Sequence, residues 1–294
     1  MDHHEKPMTL ASLRQRIEST TDLPAMPEVA QALLRLKSNP NGNINDVVEI
    51  IETDPSLTAQ IIRYARSAFF GYKGEIHSLH QAVTAVLGYG LTIDISMGIS
   101  LGKAFSIPNY GPMGLYPFWQ HSLYSGALIE RIIHIMPRQH RPLPGLGFLG
   151  GLLHNFGVLL IAHLFKKEAS MLQQMILANQ DTPVVELERQ ILGTDHMEIG
   201  AWLMQSWNLQ TEIQVTVSEH HDAHYNGVHS SYAKLALLAD RLLKRHNIGD
   251  AEVTDLPPEL LNSLGITEQQ AEEQLDNVIN AAKDLNILAQ QFAA

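Results

Sequence analysis

The stretch of sequence that says most about the fold is GFLGGLLHNFGVLLIAHLF (residues 147–165). It approaches the length of a membrane-spanning helix, but it contains two His, one Asn and four Gly, which favour a buried core helix. His154 and Asn155 lie side by side in this run. A buried imidazole or carboxamide costs free energy unless it finds a hydrogen-bonding partner. We therefore expect both side chains to meet other polar groups inside the fold.

The composition of the chain limits the classes of function. Of its 294 residues, 45% are hydrophobic and 17% are charged, which is enough apolar surface for a large core. A formal charge of −11 repels phosphate backbones, so we expect no nucleic-acid partner. Cysteine is absent, which excludes disulfides and thiolate ligands and fits a cytoplasmic protein. The opening MDHHEKPMTL has no apolar run, so we expect neither a signal peptide nor membrane association.

Helix signals recur along the chain, and no alternation typical of strands is sustained. Asp54 and Pro55 match an N-cap and a first helical position. Ser78 and Gln81 form a capping box at the start of a helix that Gly88 should end. The sequence therefore predicts an all-α fold.

A loop rich in Pro and Gly, SIPNYGPMGLYP (106–117), is the best candidate for a boundary between two lobes. We place an N-terminal helical lobe at residues 10–115 and a second helical lobe at residues 116–246, together one domain at 10–246. Residues 247–294 are predicted to be a C-terminal helical extension. Its polar, amphipathic part is expected to form one or two helices that cover the core or pair with a partner.

Helical periodicity places six imidazole or carboxylate groups at the apolar faces of five helices. They are His121, His154, His196, His220, His221 and Asp240. Neutral imidazole nitrogens and a carboxylate are suitable ligands for a divalent metal ion. Ordinary structural interpretations also apply: hydrogen-bonded core histidines, a pairing of Asp240 with Lys244, and a solvated helix end at 219–222.

The order His121, His154-Asn155, His196, His220-His221, Asp240 resembles the ligand order of the HD superfamily of metal-dependent phosphohydrolases, above all its HD-GYP branch. Five segments resemble, in order, the motifs of the HDOD family: LPAMPEV, IIETDPSLTAQIIRYARSAFFG, IHSLHQAVTAVLGYG, GLLHN and DHMEIGAWLMQSWNLQ. The resemblance covers about residues 20–225. It implies an N-terminal helical lobe packed on an HD-like helical bundle, and a non-catalytic regulatory role in bacterial signal transduction.

The sequence departs from the HD pattern at several positions. Asn155 stands where the superfamily has Asp, and Val158 where HD-GYP enzymes carry a Lys that meets phosphate. Arg66 replaces a usual Asn, and HHDAHYNG contains no GYP. A carboxamide cannot bridge two metal ions as a carboxylate does. We therefore expect no catalytic residues and no cofactor, and interpret the following as a vestigial metal site that leaves open a weakly bound divalent ion: His121, His154, Asn155, His196, His220, His221 and Asp240.

Three functions remain open from the sequence. The leading one is a regulatory module that binds a signalling protein or a small ligand. The second is a metal-dependent phosphohydrolase that acts on a nucleotide or cyclic dinucleotide with an altered His-Asn site. The third is a DNA-binding helix-turn-helix at 44–68, against which the net charge argues, since only Arg63 and Arg66 are basic on its recognition helix.

Overall fold

The computed structural model of the chain describes residues 23–109, 111–142, 146–180, 182–249 and 253–293. The α-helices within these ranges, in chain order, are α1 (Glu28–Lys37), α2 (Ile44–Glu52), α3 (Pro55–Ala65), α4 (Leu79–Ala82), α5 (Gly88–Gly102), α6 (Leu115–Ile135), α7 (Leu146–Leu153), α8 (Phe156–Leu164), α9 (Lys166–Ala178), α10 (Val184–Leu192), α11 (His196–Ser206), α12 (Thr211–Glu219), α13 (Ser230–Lys244), α14 (Pro258–Leu264), α15 (Glu268–Asn280) and α16 (Ala282–Phe292). Every regular element in the described ranges is helical, so the all-α prediction is confirmed. Residues 10–22 of the predicted N-terminal lobe lie outside these ranges.

The helices of the first lobe begin where the sequence places their caps. The side chain of Asp54 accepts a hydrogen bond from the backbone N–H of Leu57 at 3.0 Å, and Pro55 is the first residue of α3. Ser78 accepts from the backbone N–H of Gln81 at 3.1 Å at the start of α4. These side chains satisfy backbone donors that have no partner within their own helix.

Gly88 ends one helical segment, as predicted, but the next helix begins at the same residue. A π-helical turn, Val83–Leu87, extends α4, and Gly88 is its C-cap residue, with φ +73° and ψ 171°, outside helical values. Glycine takes this backbone conformation without the clash that a Cβ would cause, so the chain passes here from the π-turn into α5. Residues 92–102 of α5 are all buried.

The single apolar helix predicted at 147–165 is two helices. His154 and Asn155 form a turn between α7 and α8, and Asn155 has φ −99° and ψ 17°, outside helical values. The break places these two polar residues outside both helices, and both side chains are buried. Both segments, Leu79–Gly102 and Leu146–Leu164, are long and apolar enough to cross a membrane, yet 61% and 89% of their most apolar windows are buried within the fold.

The helix that leads to the histidine pair ends just before it. Helix α12 stops at Glu219, and His220 occupies its C-cap position. His220 is fully buried and His221 half-buried, whereas His224 is exposed. The buried face of α12 therefore ends at the histidine pair, because the chain turns there.

Two glycine crossings bring the helices of the second lobe together. A Cβ on Gly151 of α7 would lie 2.9 Å from the Cα of Gly126 on α6. A Cβ on Gly157 of α8 would lie 1.9 Å from the carbonyl oxygen of His196, at the start of α11. Only glycine permits backbones to approach this closely. The two crossings hold the His154–Asn155 turn between α6 and α11.

The C-terminal helices contact both lobes. Helix α16 packs along α6 and also touches α3, and one hydrophobic core runs from the first lobe to the last helix. The backbone N–H of Ala68 donates to Asp284 at 2.5 Å, and the side chain of Asn286 accepts from Gln120 at 2.8 Å. The predicted helical tail is thus a pair of helices, α15 and α16, that covers the core.

Candidate metal centre

Three of the predicted ligands form a first group at the meeting point of α6, α7 and α13. The Nε2 atoms of His121 and His154 lie 2.9 Å apart. Oδ1 of Asp240 lies 3.2 Å from Nε2 of His121 and 3.3 Å from Nε2 of His154. All three side chains are buried. Asp240 thus contacts these histidines, and the alternative pairing with Lys244 is not the arrangement observed.

Three further histidines form a second group where α11 meets the end of α12. His196, His220 and His221 place one ring nitrogen each within 4.8 Å of one another. The Nε2 atoms of His196 and His220 are 3.2 Å apart, and both rings are fully buried. This burial rules out a solvated helix end for His220.

Asn155 lies between the two groups. Its Oδ1 is 3.1 Å from Nε2 of His220, and its chain neighbour His154 belongs to the first group. The rings of His154 and His220 also contact each other, with centroids 4.9 Å apart. The structure therefore brings the seven residues into one continuous cluster, in which all but the half-buried His221 are buried.

The hydrogen bonds around the cluster determine which ring nitrogens carry protons. His154 donates its Nδ1–H to the carbonyl of Gly151 at 2.7 Å, and His220 donates its Nδ1–H to the carbonyl of Val217 at 2.9 Å. A carbonyl oxygen only accepts, so each Nδ1 must bear the hydrogen. When these rings are neutral, their Nε2 lone pairs point into the cluster, which is how metal-binding histidines are oriented by their surroundings.

Glu188 orients the ring of His196 in the same way, by accepting its Nδ1–H. Glu188 is not among the candidate residues predicted from the sequence. One carboxylate oxygen of Glu188 accepts from Nδ1–H of His196 at 2.7 Å and from its backbone N–H at 3.0 Å. Glu188 is fully buried on α10. It lies three residues after Val185 and four before Leu192, both buried, so a charged residue within an apolar helical stripe was the available signal.

Burial and neighbouring charges shift the pKa values of His220 and Asp240. Burial, together with the neighbouring His221, His154 and His196, holds the pKa of His220 well below its ordinary value. Burial alone would raise the pKa of Asp240, but the adjacent His154 and His121 outweigh it and hold that pKa well below the usual range. The cluster therefore combines a neutral imidazole with a carboxylate, the protonation states that bind metals.

The ligand atoms of the two groups fit a divalent cation. Oδ2 of Asp240 is buried and accepts no hydrogen bond from any described residue. The His121, His154 and Asp240 atoms lie within 4.8 Å of one another, as do those of the three other histidines. Nitrogen and carboxylate ligands at such separations suit a transition-metal ion, so each group has the geometry of a candidate metal site.

A cavity of about 740 Å³ opens beside the cluster. His121, Asn155 and Glu188 are its buried polar residues. Its apolar lining includes Phe118 and Val158, the position where the HD-GYP resemblance implies a lysine. Among the described lining residues, Lys244 is the only cationic one. The cavity thus leads from the surface to the candidate metal-ligating residues but carries little positive charge.

Comparison with known proteins shows the family. The model of the HDOD domain matches residues 23–223. The chain belongs to the HDOD family, and the resemblance read from its motifs is confirmed.

Solved structures share this fold. A protein from Marinobacter aquaeolei VT8, described as a "Putative signal transduction protein", is 32% identical with a TM-score of 0.84, over 95% of this chain and 62% of that one. An HDOD domain protein of unknown function from Geobacter sulfurreducens is 21% identical with a TM-score of 0.75, over 95% and 96% of the two chains. A "Putative phosphohydrolase" from Shewanella amazonensis SB2B is 22% identical with a TM-score of 0.73, over 96% and 98%. The last two show the fold alone.

An uncharacterized protein of Treponema pallidum is 26% identical over 212 residues, which are 72% of this chain and 39% of that protein. This chain therefore spans less than two thirds of the Treponema and Marinobacter proteins that it matches.

Proposed function

We propose that this chain is a non-catalytic regulatory module of bacterial signal transduction, located in the cytoplasm, that acts by binding a signalling protein or a small ligand. Within it, residues 10–246 are the HDOD domain and residues 247–294 an extension. The observation that carries the proposal is the position of Asn155, whose carboxamide contacts His220 of one ligand group while its neighbour His154 belongs to the other.

The carboxamide leaves the centre short of negative charge. A two-metal phosphohydrolase uses the group at this junction to bridge its ions and to fix the nucleophilic water. Asn155 offers one neutral oxygen, so Asp240 is the only carboxylate among the candidate ligands of the two groups in the described residues, and Glu188 contacts His196 only through Nδ1 and the backbone N–H. We infer that the cluster holds at most one divalent ion, weakly, at His121, His154 and Asp240.

Asn155 can also satisfy the second group without metal. A carboxamide keeps nearly the same shape when its two ends are exchanged, so its N–H can face the lone pair of His220 Nε2. A carboxylate has no such donor. The lone pair of His220 Nε2 is then satisfied by hydrogen bonding, and a second ion is not needed to balance it.

A second candidate function is supported by the oriented histidines. His154, His196 and His220 each have Nδ1 hydrogen-bonded to an acceptor that directs Nε2 inwards, the arrangement that a working metal centre needs. That observation favours a phosphohydrolase with an altered site, acting on a nucleotide or cyclic dinucleotide.

Hydrolysis assays separate the two functions. Purified protein is incubated with Mg²⁺, Mn²⁺ or Fe²⁺ and a panel of nucleotides, cyclic dinucleotides and a chromogenic phosphodiester. The proposal predicts that the unmodified chain hydrolyses these substrates no faster than the His154→Ala variant does. Turnover in the unmodified chain that is abolished by His154→Ala, but retained by a substitution at the exposed His224, would establish the enzyme instead.

A further inference from the structure

The turn that follows α13 lies directly against the ring of His121. A Cβ on Gly249 would lie 2.5 Å from both Nδ1 and Cε1 of that ring. Gly249 also has a φ of +86°, a backbone conformation that residues other than glycine rarely adopt. Position 249 therefore requires glycine for two reasons, its backbone conformation and the space that the imidazole occupies.

Hydrogen bonds fix this turn to the end of α13. The backbone N–H of Asn247 donates to the carbonyl of Lys244 at 2.9 Å, and that of Ile248 donates to the carbonyl of Leu243 at 3.2 Å. Asn247 has a φ of +58°, so the chain reverses direction just past the helix. The side chain of Ile248 packs against the hydrophobic core. The position of Gly249 is therefore tied to that of α13.

Helix α13 and its turn contact His121 at two points. Oδ1 of Asp240, on the helix, lies 3.2 Å from Nε2 of His121, and Gly249 lies beside Nδ1 and Cε1. His121 is buried but lines the cavity, as Gly249 does, so the ring has one open side. The backbone of Gly249 limits how far the ring can swing toward that side.

The C-terminal extension also holds the α6 residues before and after His121. Oδ1 of Asn286 on α16 accepts a hydrogen bond from Gln120 at 2.8 Å, and the hydroxyl of Tyr124 lies 3.1 Å from the same oxygen. Gly249 and Asn286 both lie beyond residue 223, where the match to the HDOD domain ends. A part of the chain outside the family match therefore holds one of the candidate ligands.

We propose that Gly249 is a positioning residue of the metal centre: because it has no side chain, the turn can hold the His121 ring with Nε2 toward His154 and Asp240. Ion binding at the first ligand group then depends on docking of the C-terminal extension, and the bound ion stabilises that docking in return. The inference rests on the single ion of the proposed function and assigns the residue that orients one of its ligands.

Gly249→Ala tests this role, with Gly265→Ala as the matched control. Gly265 also has a positive φ, +67°, and its Cβ would lie 2.9 Å from Pro137, which is not a candidate ligand. To reach ordinary contact distance, a Cβ at position 249 and the His121 ring must move apart by about 1 Å, whereas a working site holds its ligands to within about 0.5 Å.

We expect Gly249→Ala to weaken Mn²⁺ binding about tenfold or more in calorimetric titration of the full chain, and Gly265→Ala to leave the affinity unchanged. An unchanged affinity in a folded Gly249→Ala protein, or an equal loss in both variants, would overturn the inference.

Electron spin-echo envelope modulation shows whether the His121 ring has left the ion, because it detects the nitrogens of imidazoles bound to Mn²⁺. We expect a signal from both His121 and His154 in the unmodified chain, and from one imidazole in Gly249→Ala at saturating Mn²⁺. The same two-imidazole signal in both proteins would overturn the positioning role.

A double-mutant cycle in the presence of a chelator tests the contact itself. Urea unfolding is measured for the unmodified chain, Gly249→Ala, His121→Ala and the double variant. Removing the ring makes room for the new Cβ, so Gly249→Ala should lower the urea midpoint less in the His121→Ala background than in the unmodified chain. Equal lowering in both backgrounds would overturn the inference. If Gly249→Ala alone does not fold, recovery of folding in the double variant supports the inference and its failure contradicts it.

These outcomes separate the inference from the proposed function. If the unmodified chain binds no Mn²⁺, the single ion of the proposed function is overturned, and with it the metal role of Gly249. Ion binding that Gly249→Ala leaves intact overturns the inference alone. Hydrolysis by the unmodified chain, with ion binding weakened in Gly249→Ala, overturns only the non-catalytic role.

Discussion

The Nε2 atoms of His196 and His220 lie 3.2 Å apart, although both rings donate their Nδ1–H to other acceptors. If both rings are neutral, two lone pairs face each other, and the contact is repulsive until a cation or a hydrogen-bond donor joins them. Asn155, 3.1 Å from Nε2 of His220, is the donor within reach. The chemistry of position 155 therefore decides whether the second histidine group needs a metal.

Asn155→Asp should increase the affinity for Mn²⁺ by about tenfold or more, because it adds a negative charge between the two ligand groups and removes the carboxamide donor that faces His220. Turnover should remain negligible, since Val158 still offers no cation to a phosphate. Calorimetric titration with Mn²⁺ measures the affinity. Asn179→Asp is the control, because it makes the same charge change at an exposed position of the same cavity. An equal gain in both variants would mean that the effect is only long-range electrostatics.

Ile61→Asp should unfold both lobes together. Ile61 of α3 is fully buried in the core that runs through the chain, and an unpaired charge there should cost about 4 kcal/mol or more. All three tryptophans, Trp119, Trp202 and Trp207, lie in the second lobe, and Trp207 donates its Nε1–H to the carbonyl of Pro24 at 2.8 Å. Their fluorescence therefore reports on the second lobe and on its contact with the first.

The expected result for Ile61→Asp is loss of the tryptophan transition together with the helical circular dichroism signal. Ile287→Asp, on the 41% exposed Ile287 of α16, is the matched control and should change little. An unchanged tryptophan transition in Ile61→Asp would show that the second lobe folds independently.

Asp94 should make the fold less stable as pH rises. Burial on α5 raises its pKa from 3.8 to about 7, against the opposing effect of Lys37, with which it forms an ion pair. The folded state therefore binds this proton more tightly than the unfolded state does. The stabilisation that protonation provides is complete below pH 3.8 and is lost as pH rises through about 7. Glu130, whose pKa is also raised by burial, acts in the same direction.

Asp94→Asn should remove most of this dependence. Urea unfolding at mildly acidic and at mildly alkaline pH gives the difference in free energy of unfolding for each protein. The difference should be smaller in the variant, because Asn does not titrate and Lys37, with 18% of its side chain exposed, can reach water. An identical pH dependence in both proteins would show that Asp94 is not the group responsible.

Much of this architecture could be predicted from local signals. The cap at Asp54 follows from spacing, because an N-cap acts within one turn, and helical periodicity places the residues from His121 to Asp240 on apolar faces. That these faces meet in one cluster is what the resemblance to the HD ligand order implies. The course of the chain at Gly88 and at Asn155 could not be predicted, since a π-turn and a break inside an apolar run depend on what packs around them. Glu188 was missed for a related reason: its partner, His196, lies on another helix.

In the proposed function, Asn155 restricts the centre to a single ion without turnover. Electron paramagnetic resonance of the Mn²⁺-saturated protein tests it directly, because one isolated Mn²⁺ gives an uncoupled six-line spectrum and two bridged ions give an exchange-coupled one. We expect the uncoupled spectrum with no more than one Mn²⁺ per chain, lost in His154→Ala, and a coupled spectrum only in Asn155→Asp. A coupled spectrum from the unmodified chain would contradict it.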